Sequence, residues 1–219
     1  MTFTDQIQEA AMPLWQRSFV HPFIQELTQG TLPLSTFRYY LIQDYFYLKN
    51  FCDLHGEIAA QSQVEAERNA LLAGERTLNH GEVAIRQGMF KTLKIEKAEV
   101  NQLGIAPTCY NYVNHMRAAL AAGGPEVGIA ALLSCYWLYH AVGQHLQAHG
   151  SPVALYQQWI DNYIDDDYAQ AVDRMLDLVN QGAQQVDSTT RDQMAESFIR
   201  SSAYELQFWE MAYQKEQWN

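Results

Sequence analysis

Apolar side chains recur through most of the chain at steps of three and four residues, which is the spacing of one face of an α-helix. The clearest run follows a break at residues 30–33 and predicts a long helix from about Ser35 to about Gln61. Its inward positions are Phe37, Leu41, Asp44, Leu48 and Phe51. A second run predicts a helix from about Val64 to Gly88, with the glycine as its C-cap.

Helix-breaking and capping residues divide the rest of the chain into further helices. The Gly-Gly-Pro at 123–125 predicts the end of one helix and the start of the next, because proline suits the first turn. The Gly-Ser-Pro at 150–152 is interpreted in the same way, with the serine as the cap. Asp165 or Asp166 is expected to cap a later helix, and Pro13 predicts a kink or a short break in the first one.

Strand signals are missing from this pattern, because no run alternates Val, Ile or Thr and no Asn-Gly or Asp-Gly hairpin turn occurs. The connections, which include a Lys- and Glu-rich loop before Pro107, have the lengths expected of a helical bundle. A chain of 219 residues is long enough to bury one sizeable core. We therefore predict an all-α, single-domain helical bundle over residues 1–219, with roughly eight to ten helices.

Charge and composition narrow the possible partners. With a net charge of -11 and only 14 Lys plus Arg, the chain lacks the basic surface that binds nucleic acid or an anionic membrane. The longest apolar stretch, Ile129 to Val142, is shorter than the ~20 residues that span a bilayer. The first residues do not resemble a signal peptide, and three cysteines without paired spacing suit a reducing compartment. We therefore expect a cytoplasmic protein.

Three polar side chains stand in aromatic-rich helical segments. Cys135 lies within Leu133–His140 among three aromatic residues, and it is either an inert core thiol or a nucleophile. Asp44 is on the inward face of its helix, so it needs a core hydrogen bond or a polar ligand such as an amino-substituted heterocycle. Glu205 precedes Phe208 by one turn, and it either forms a salt bridge, for example with Arg200, or acts as an acid of raised pKa.

Metal binding is not indicated by the histidines. A ferritin-like di-iron site needs Glu-x-x-His on two helices, and no histidine here has a glutamate three residues before it. His21 stands immediately before Pro22, and we interpret it as a structural residue at a helix junction. The sequence therefore predicts no metal site.

The segments around Asp44, Cys135 and Glu205, together with residues 21–30 and 37–44, resemble the TenA family, also called thiaminase II or aminopyrimidine aminohydrolase. The resemblance runs from about residue 10 to about residue 213. It implies a haem-oxygenase-like helical fold, a homotetramer and no cofactor. It also implies hydrolysis of aminomethylpyrimidine to hydroxymethylpyrimidine and ammonia in thiamin salvage, with thiaminase II activity on thiamin.

The resemblance assigns a role to each candidate residue. Cys135 would be the nucleophile, Glu205 the proton donor to the leaving amine, and Asp44 the acceptor for a pyrimidine ring nitrogen and amino group. Five aromatic residues would complete the site. Tyr47 would tune the thiolate, Tyr139 and Tyr163 would contact the pyrimidine, and Tyr112 and Phe208 would form walls of the ring pocket.

Two alternatives remain open from the sequence. A non-catalytic pyrimidine binder would use Asp44 and the tyrosines but would not need the Cys135 thiol. A haem- or quinone-related oxidative protein would share the fold without the thiol. Loss of activity on replacing Cys135 would separate the hydrolase from both.

Overall fold

The computed structural model describes residues 1–80 and 82–218, and over these residues the chain forms eleven α-helices and no β-strand. In chain order they are α1 (Phe3–Phe19), α2 (Pro22–Gln29), α3 (Leu34–Gln61), α4 (Glu65–His80), α5 (Glu82–Leu93), α6 (Lys97–Leu103), α7 (Pro107–Gly123), α8 (Pro125–Gln147), α9 (Ala154–Asn162), α10 (Asp166–Gln185) and α11 (Ser188–Gln214). The predicted all-α fold class is confirmed.

The short helix α6 lies in the Lys- and Glu-rich segment that was predicted to be a loop. Arg38 of α3 explains why this segment is ordered. Its guanidinium donates to the backbone carbonyls of Leu93, at 2.5 Å, and Lys94, at 3.1 Å. It also pairs with Glu99 in the first turn of α6. One arginine therefore fastens the α5–α6 connection to α3.

The helix predicted from about Val64 to Gly88 corresponds to α4 and α5, which lie on either side of residue 81, a position outside the described residues. Its predicted C-cap at Gly88 is wrong, because α5 continues to Leu93. Gly88 lies inside α5, and a Cβ added there would meet no atom within 4 Å, so nothing at this position requires glycine. The left-handed residue that ends α5 is Lys94, at φ 53°. The N–H of Ile95 then donates to the carbonyl of Phe90 at 2.9 Å and closes the helix.

The other predicted helix ends are confirmed in part. Gly124 separates α7 from α8 at φ 81°, with Pro125 in the first turn, and Asp165 caps α10 by accepting from the backbone of Tyr168 at 2.7 Å. Helix α1 continues through Pro13 without the predicted short break; a Thr2–Asp5 capping box holds its first turn.

The prediction for residues 150–152 is confirmed in part: Gly150, at φ 59°, donates its N–H to the carbonyl of Leu146 at 2.8 Å and closes the last turn after α8, but Ser151 and Pro152 do not begin α9. Helix α8 already ends at Gln147, and α9 begins at Ala154. Ser151 does not cap α9, because its hydroxyl donates instead to the carbonyl of Leu27, at 2.7 Å, and ties the connection to α2. The N-cap position of α9 is occupied by Val153.

Helix α8 forms the centre of the fold. Its side chains are buried around most of its circumference, as expected for a helix that is apolar on all sides. It packs against α11 most extensively and also against α1, α3, α7, α9 and α10. Helices α3 and α11 are the two longest helices, and both pack against α8.

Small polar side chains fix the register between α8 and α11. The hydroxyls of Ser134 and Ser202 are fully buried and lie 2.9 Å apart. The indole Nε1 of Trp15 donates to the Ser202 hydroxyl at 3.2 Å. Because Ser134 precedes Cys135 and Ser202 lies one turn before Glu205, this contact also sets where the thiol and the carboxyl stand relative to each other.

No helix in the described parts of the chain is both long enough and apolar enough to cross a membrane.

Candidate functional site

The structure brings Asp44, Cys135 and Glu205 together in the interior, each from a different long helix. They lie on α3, α8 and α11, and their exposures are 2%, 8% and 1%. Their proximity shows in the pKa of Glu205. Burial raises that pKa most, the charge of Asp44 raises it further, and a hydrogen bond with the Cys135 thiol lowers it.

Glu205 is an acid that keeps its proton at neutral pH. Burial against aromatic side chains raises its pKa to about 8. The hydroxyl of Tyr112 donates to its Oε1 at 2.6 Å. The salt bridge considered for Glu205 with Arg200 is not formed, because Arg200 pairs with Glu196 one turn away on the surface. Glu205 is therefore placed to donate a proton to a neighbouring group.

The Cys135 thiol lies among oxygen groups from two other helices, α3 and α11. Besides Glu205, it lies close to the phenol of Tyr47, and burial followed by the charge of Cys135 raises the pKa of Tyr47 well above its ordinary value. The Tyr47 hydroxyl is buried, and a side-chain hydrogen bond with Cys135 raises its pKa further, although no contact among the described residues meets strict hydrogen-bond geometry. A phenol in this position can donate to a thiolate that forms beside it.

Two sets of packed aromatic rings belong to the predicted site. In the first, the ring of Tyr47 packs against Tyr112 at a centroid distance of 5.1 Å and meets Phe208 edge-on at 5.7 Å. In the second, Tyr139 packs against Tyr163 at 4.8 Å. All five rings are buried. Surfaces of this kind suit a flat heteroaromatic ring, because such rings stack or meet aromatic edges favourably.

Arg86 was missed from the sequence. It lies on α5, is 2% exposed, and donates through Nε to Oδ2 of Asp44 and through Nη2 to the hydroxyl of Tyr163. Its guanidinium carbon is also 5.7 Å from the centre of the Tyr163 ring. Burial raises the pKa of Asp44, while the charge and the hydrogen bond of Arg86 oppose that rise. A local signal for Arg86 existed, because Met89, one turn later, is fully buried on the same face.

A cleft of about 550 Å³ borders the cluster on the side of Tyr163. Its lining includes Tyr168, whose ring meets Tyr163 edge-on at 5.1 Å, and Ile85, which precedes Arg86 in α5. Asn162 also lines the cleft, and its buried Nδ2 has no hydrogen-bond partner in the part of the chain described here. A substituent of a ligand bound beside Tyr163 could extend into this cleft.

His21 stands apart from this cluster, at the junction of α1 and α2. Its Nδ1 accepts from the backbone N–H of Phe23 at 3.2 Å and so caps α2. Its Nε2 lies 3.0 Å from a carboxylate oxygen of Glu210. The interpretation of His21 as a helix-junction residue is confirmed. Within residues 1–80 and 82–218, no three His, Cys, Asp or Glu side chains group together as metal ligands would.

Comparison with known proteins agrees with this architecture. The model of the TENA/THI-4/PQQC family matches residues 8–215. The aminopyrimidine aminohydrolase of Bacillus subtilis is 35% identical over 219 residues, covering 100% of this chain and 93% of that protein. The enzyme of the same name from Halalkalibacterium halodurans is 30% identical over 226 residues, covering 100% and 99%.

Solved structures show the same fold. The TenA homologue protein from P. horikoshii OT3 superposes with a TM-score of 0.89 at 25% identity, covering 98% of this chain and 99% of that one. A putative TenA-like thiaminase from Sulfolobus solfataricus superposes with a TM-score of 0.82 at 22% identity, covering 98% and 97%. The expected all-α, haem-oxygenase-like fold is confirmed.

Proposed function

Because the chain belongs to the TENA/THI-4/PQQC family, we propose that it is an aminopyrimidine aminohydrolase, which converts aminomethylpyrimidine and water to hydroxymethylpyrimidine and ammonia. The observation that carries the proposal is a buried glutamic acid of raised pKa in hydrogen-bonding contact with a buried thiol. Glu205 provides the acid and Cys135 the thiol. Amine expulsion needs a proton donor of this kind, and covalent catalysis needs a nucleophile within its reach.

The reaction would proceed through a bond between Cys135 and the pyrimidine ring. The thiolate adds to a ring carbon, and the ring electrons then expel the exocyclic amine while Glu205 supplies its proton. Water attacks the exposed methylene group and gives its proton back to Glu205. The carbon–sulfur bond then breaks, so the thiolate and the acid are both restored. One water is consumed and one ammonia is released.

Asp44 and the aromatic residues would hold the ring during both additions. The Asp44 carboxylate is an acceptor for the amino group and a protonated nitrogen of the pyrimidine. Tyr139 and Tyr163 would contact the ring on one side, with Tyr112 and Phe208 forming walls on the other. The hydroxyl of Tyr47 would stabilise the thiolate. The buried, ring-lined surroundings of these groups support each role.

The same chemistry can release the thiazole of thiamin, so thiaminase II activity is part of the proposal, as a secondary activity. We place the protein in the cytoplasm and favour salvage of degraded thiamin, because an intracellular enzyme that destroyed thiamin would be self-defeating. We also propose that residues 1–219 form one domain that assembles as a homotetramer. Light scattering coupled to size-exclusion chromatography gives the mass of the assembly and tests that last point.

The direct test measures release of ammonia and hydroxymethylpyrimidine from aminomethylpyrimidine, and in parallel from thiamin. Wild type is compared with Cys135→Ser, and Cys52→Ser serves as the matched control, because it removes another buried thiol from α3. We expect wild type and Cys52→Ser to turn over, and Cys135→Ser to lose nearly all activity while still binding the product.

The other outcomes separate the alternatives. A Cys135→Ser variant that keeps its rate shows that the thiol is a packing residue and that the covalent mechanism is wrong. Product binding without turnover by the wild type favours a non-catalytic pyrimidine binder. The ratio of the rates on the two substrates decides between salvage and thiaminase activity.

A further inference from the structure

The guanidinium of Arg86 contacts two of the side chains that the proposed function assigns to the pyrimidine. It donates to Asp44 from one edge and to the hydroxyl of Tyr163 from another. We infer that Arg86 is a positioning residue for the substrate: it fixes the Asp44 carboxylate and the Tyr163 ring in the orientation that receives the pyrimidine. This inference rests on the proposed function, since it takes Asp44 and Tyr163 as substrate contacts.

The two oxygens of the Asp44 carboxylate have different hydrogen-bonding surroundings. Arg86 occupies Oδ2, whereas no described residue donates a hydrogen bond to Oδ1. A carboxylate held at one oxygen has a single orientation, and the other oxygen is left to accept from a ligand. The amino group of an aminopyrimidine is a donor that can use this second oxygen while the ion pair stays intact.

Burial argues that the pair stays intact when substrate binds. The side chains of Arg86 and Asp44 are 3% and 4% exposed. Separating them inside the protein would leave the Asp44 carboxylate charge buried without its ion-pair partner, which is far more costly than breaking an exposed pair. A ligand as small as a substituted pyrimidine offers few contacts with which to offset that loss. Binding beside the pair is therefore favoured over displacement of Arg86.

Arginine is the residue type that this arrangement requires. The planar guanidinium reaches Asp44 through Nε and Tyr163 through Nη2 at the same time, and it also lies over the Tyr163 ring. A lysine at position 86 would keep the charge but would carry a single nitrogen, so it could not hold both partners in this geometry. Arg86→Lys therefore separates the effect of the positive charge from the effect of the guanidinium geometry that contacts two partners.

Arg86 also connects the site to α5, which otherwise contributes none of the predicted site residues. The pair joins α5 to α3, and the bond to Tyr163 joins α5 to the residue that follows α9. Asp44 and Tyr163 come from segments 119 residues apart in sequence, 163 minus 44. The Arg86 side chain therefore fixes Asp44 and Tyr163 relative to each other, which local structure around either residue cannot do.

The test is a set of dissociation constants for hydroxymethylpyrimidine, measured by titration calorimetry, with thermal unfolding of every variant in parallel. The variants are Arg86→Met, Arg86→Lys, Asp44→Asn and the double Asp44→Asn/Arg86→Met. Arg200→Met is the control, because Arg200 forms an exposed ion pair on α11. Steady-state kinetics on aminomethylpyrimidine accompany the titrations and show whether the loss is in KM or in kcat.

We expect Arg86→Met to bind the product about tenfold more weakly and to raise KM, with a smaller loss for Arg86→Lys. Asp44→Asn should lose more, and the double variant should lose clearly less than the two single losses combined, because Arg86 acts in part through the carboxylate. Any further loss of the double variant relative to Asp44→Asn then measures the contact of Arg86 with Tyr163. Arg200→Met should bind like wild type. If Arg86→Met is too unstable to titrate, Arg86→Lys and the double variant still decide, since neither leaves a lone buried carboxylate charge.

Three results would overturn the inference. Tighter binding by folded Arg86→Met or Arg86→Lys would mean that Arg86 blocks the site and is displaced by the substrate. Unchanged affinity in those variants would mean that Arg86 serves the fold alone, and losses that add in the double variant would mean that it does not act through Asp44. Unchanged affinity in Asp44→Asn would instead refute the proposed role of Asp44, which is a failure of the proposed function itself.

Discussion

The hydroxyl of Tyr112 donates a 2.6 Å hydrogen bond to Oε1 of Glu205 in the interior of the helical bundle. The two residues come from α7 and α11, and both are almost completely inaccessible to solvent. Burial is the largest influence on the carboxyl and raises its pKa to about 8, while the Tyr112 hydrogen bond lowers it. Together these effects place the titration of Glu205 within the pH range in which the enzyme can be assayed.

The first prediction is a loss of activity at alkaline pH. If Glu205 must carry a proton to expel the amine, kcat/KM should be level below its pKa of about 8 and should fall towards tenfold per pH unit above it. The measurement is kcat/KM for aminomethylpyrimidine from about pH 6 to about pH 9.5, within the range where the protein stays folded.

Tyr112→Phe is the control that assigns this pH dependence to Glu205. Because the Tyr112 hydrogen bond lowers the pKa of Glu205, its removal should raise that pKa and move the decline in kcat/KM to higher pH. A decline that does not move would belong to another group, such as the substrate amine, and would remove the support for Glu205 as the acid.

The second prediction concerns stability. The pKa of Glu205 is about 8 in the folded protein against an ordinary value of 4.5, so the folded state holds the proton more tightly than the unfolded state. Its contribution to stability is thus fully present below pH 4.5 and is lost as pH rises towards 8. At 1.36 kcal/mol per pKa unit, the loss reaches about 5 kcal/mol.

Glu205→Gln isolates this contribution, because an amide has nearly the shape of the protonated acid and does not titrate. We expect the variant to be more stable than wild type near pH 8 and to show a flatter dependence of unfolding free energy on pH. Glu196→Gln, at an exposed position of the same helix, is the matched control. Urea unfolding at several pH values measures the effect, and parallel curves for wild type and Glu205→Gln would contradict it.

The third prediction separates function from stability at Tyr47. Its buried hydroxyl contacts the Cys135 thiol but has no partner of strict hydrogen-bond geometry among the described residues, so Tyr47→Phe should change the free energy of unfolding by less than about 1 kcal/mol. If the hydroxyl stabilises the Cys135 thiolate, the same substitution should lower kcat by about a hundredfold, the effect of removing one preorganised donor. Unfolding curves and steady-state kinetics on one preparation measure both quantities.

Tyr45→Phe is the control for Tyr47→Phe, because Tyr45 lies two residues earlier on α3 and is 42% exposed. It should leave both stability and kcat near the wild-type values. A Tyr47→Phe variant with unchanged kcat would leave the hydroxyl without a role in the reaction.

Local patterns in the sequence were sufficient to predict α3 and the burial of Asp44. Residues on the inward face of a helix recur every three or four positions, so the apolar residues at these spacings indicate that Asp44 also lies on the buried face. The helix ends at Gly124 and Asp165 were predictable for the same reason, because capping is a contact within one turn. Gly88 and Ser151 show the limit of this reasoning. Helix α5 does not end at Gly88 but at the left-handed residue Lys94. The Ser151 hydroxyl donates to the carbonyl of Leu27 and does not cap α9.

Arg86 could not be predicted from such patterns. Its partners Asp44 and Tyr163 lie 42 and 77 residues away, so no window of the sequence contains the interaction. Its spacing to Met89 indicates an inward position, but a buried arginine is expected only once a partner is known. The site thus combines residues that are indicated by aromatic neighbours in the sequence with Arg86, whose place in the site depends on partners far away in the sequence.

The fourth prediction tests how the register between α8 and α11 is maintained. Ser202→Ala removes the group that accepts from Trp15 and that pairs with Ser134, so two buried polar atoms lose their partner. Stability should fall by about 1–3 kcal/mol, the cost of leaving buried polar groups unsatisfied. Because Ser134 adjoins Cys135, kcat should also fall in the folded variant, as the thiol and Glu205 are no longer held at a fixed separation.

Ser188→Ala provides the comparison on the same helix. Ser188 is exposed in the first turn of α11, and Asp187 rather than Ser188 caps that helix. Its replacement should change the free energy of unfolding by less than about 0.5 kcal/mol and leave kcat unchanged. If Ser202→Ala is as harmless as Ser188→Ala, apolar packing alone sets the register of α8 against α11. The hydroxyl pair would then be an outcome of that packing and not its cause.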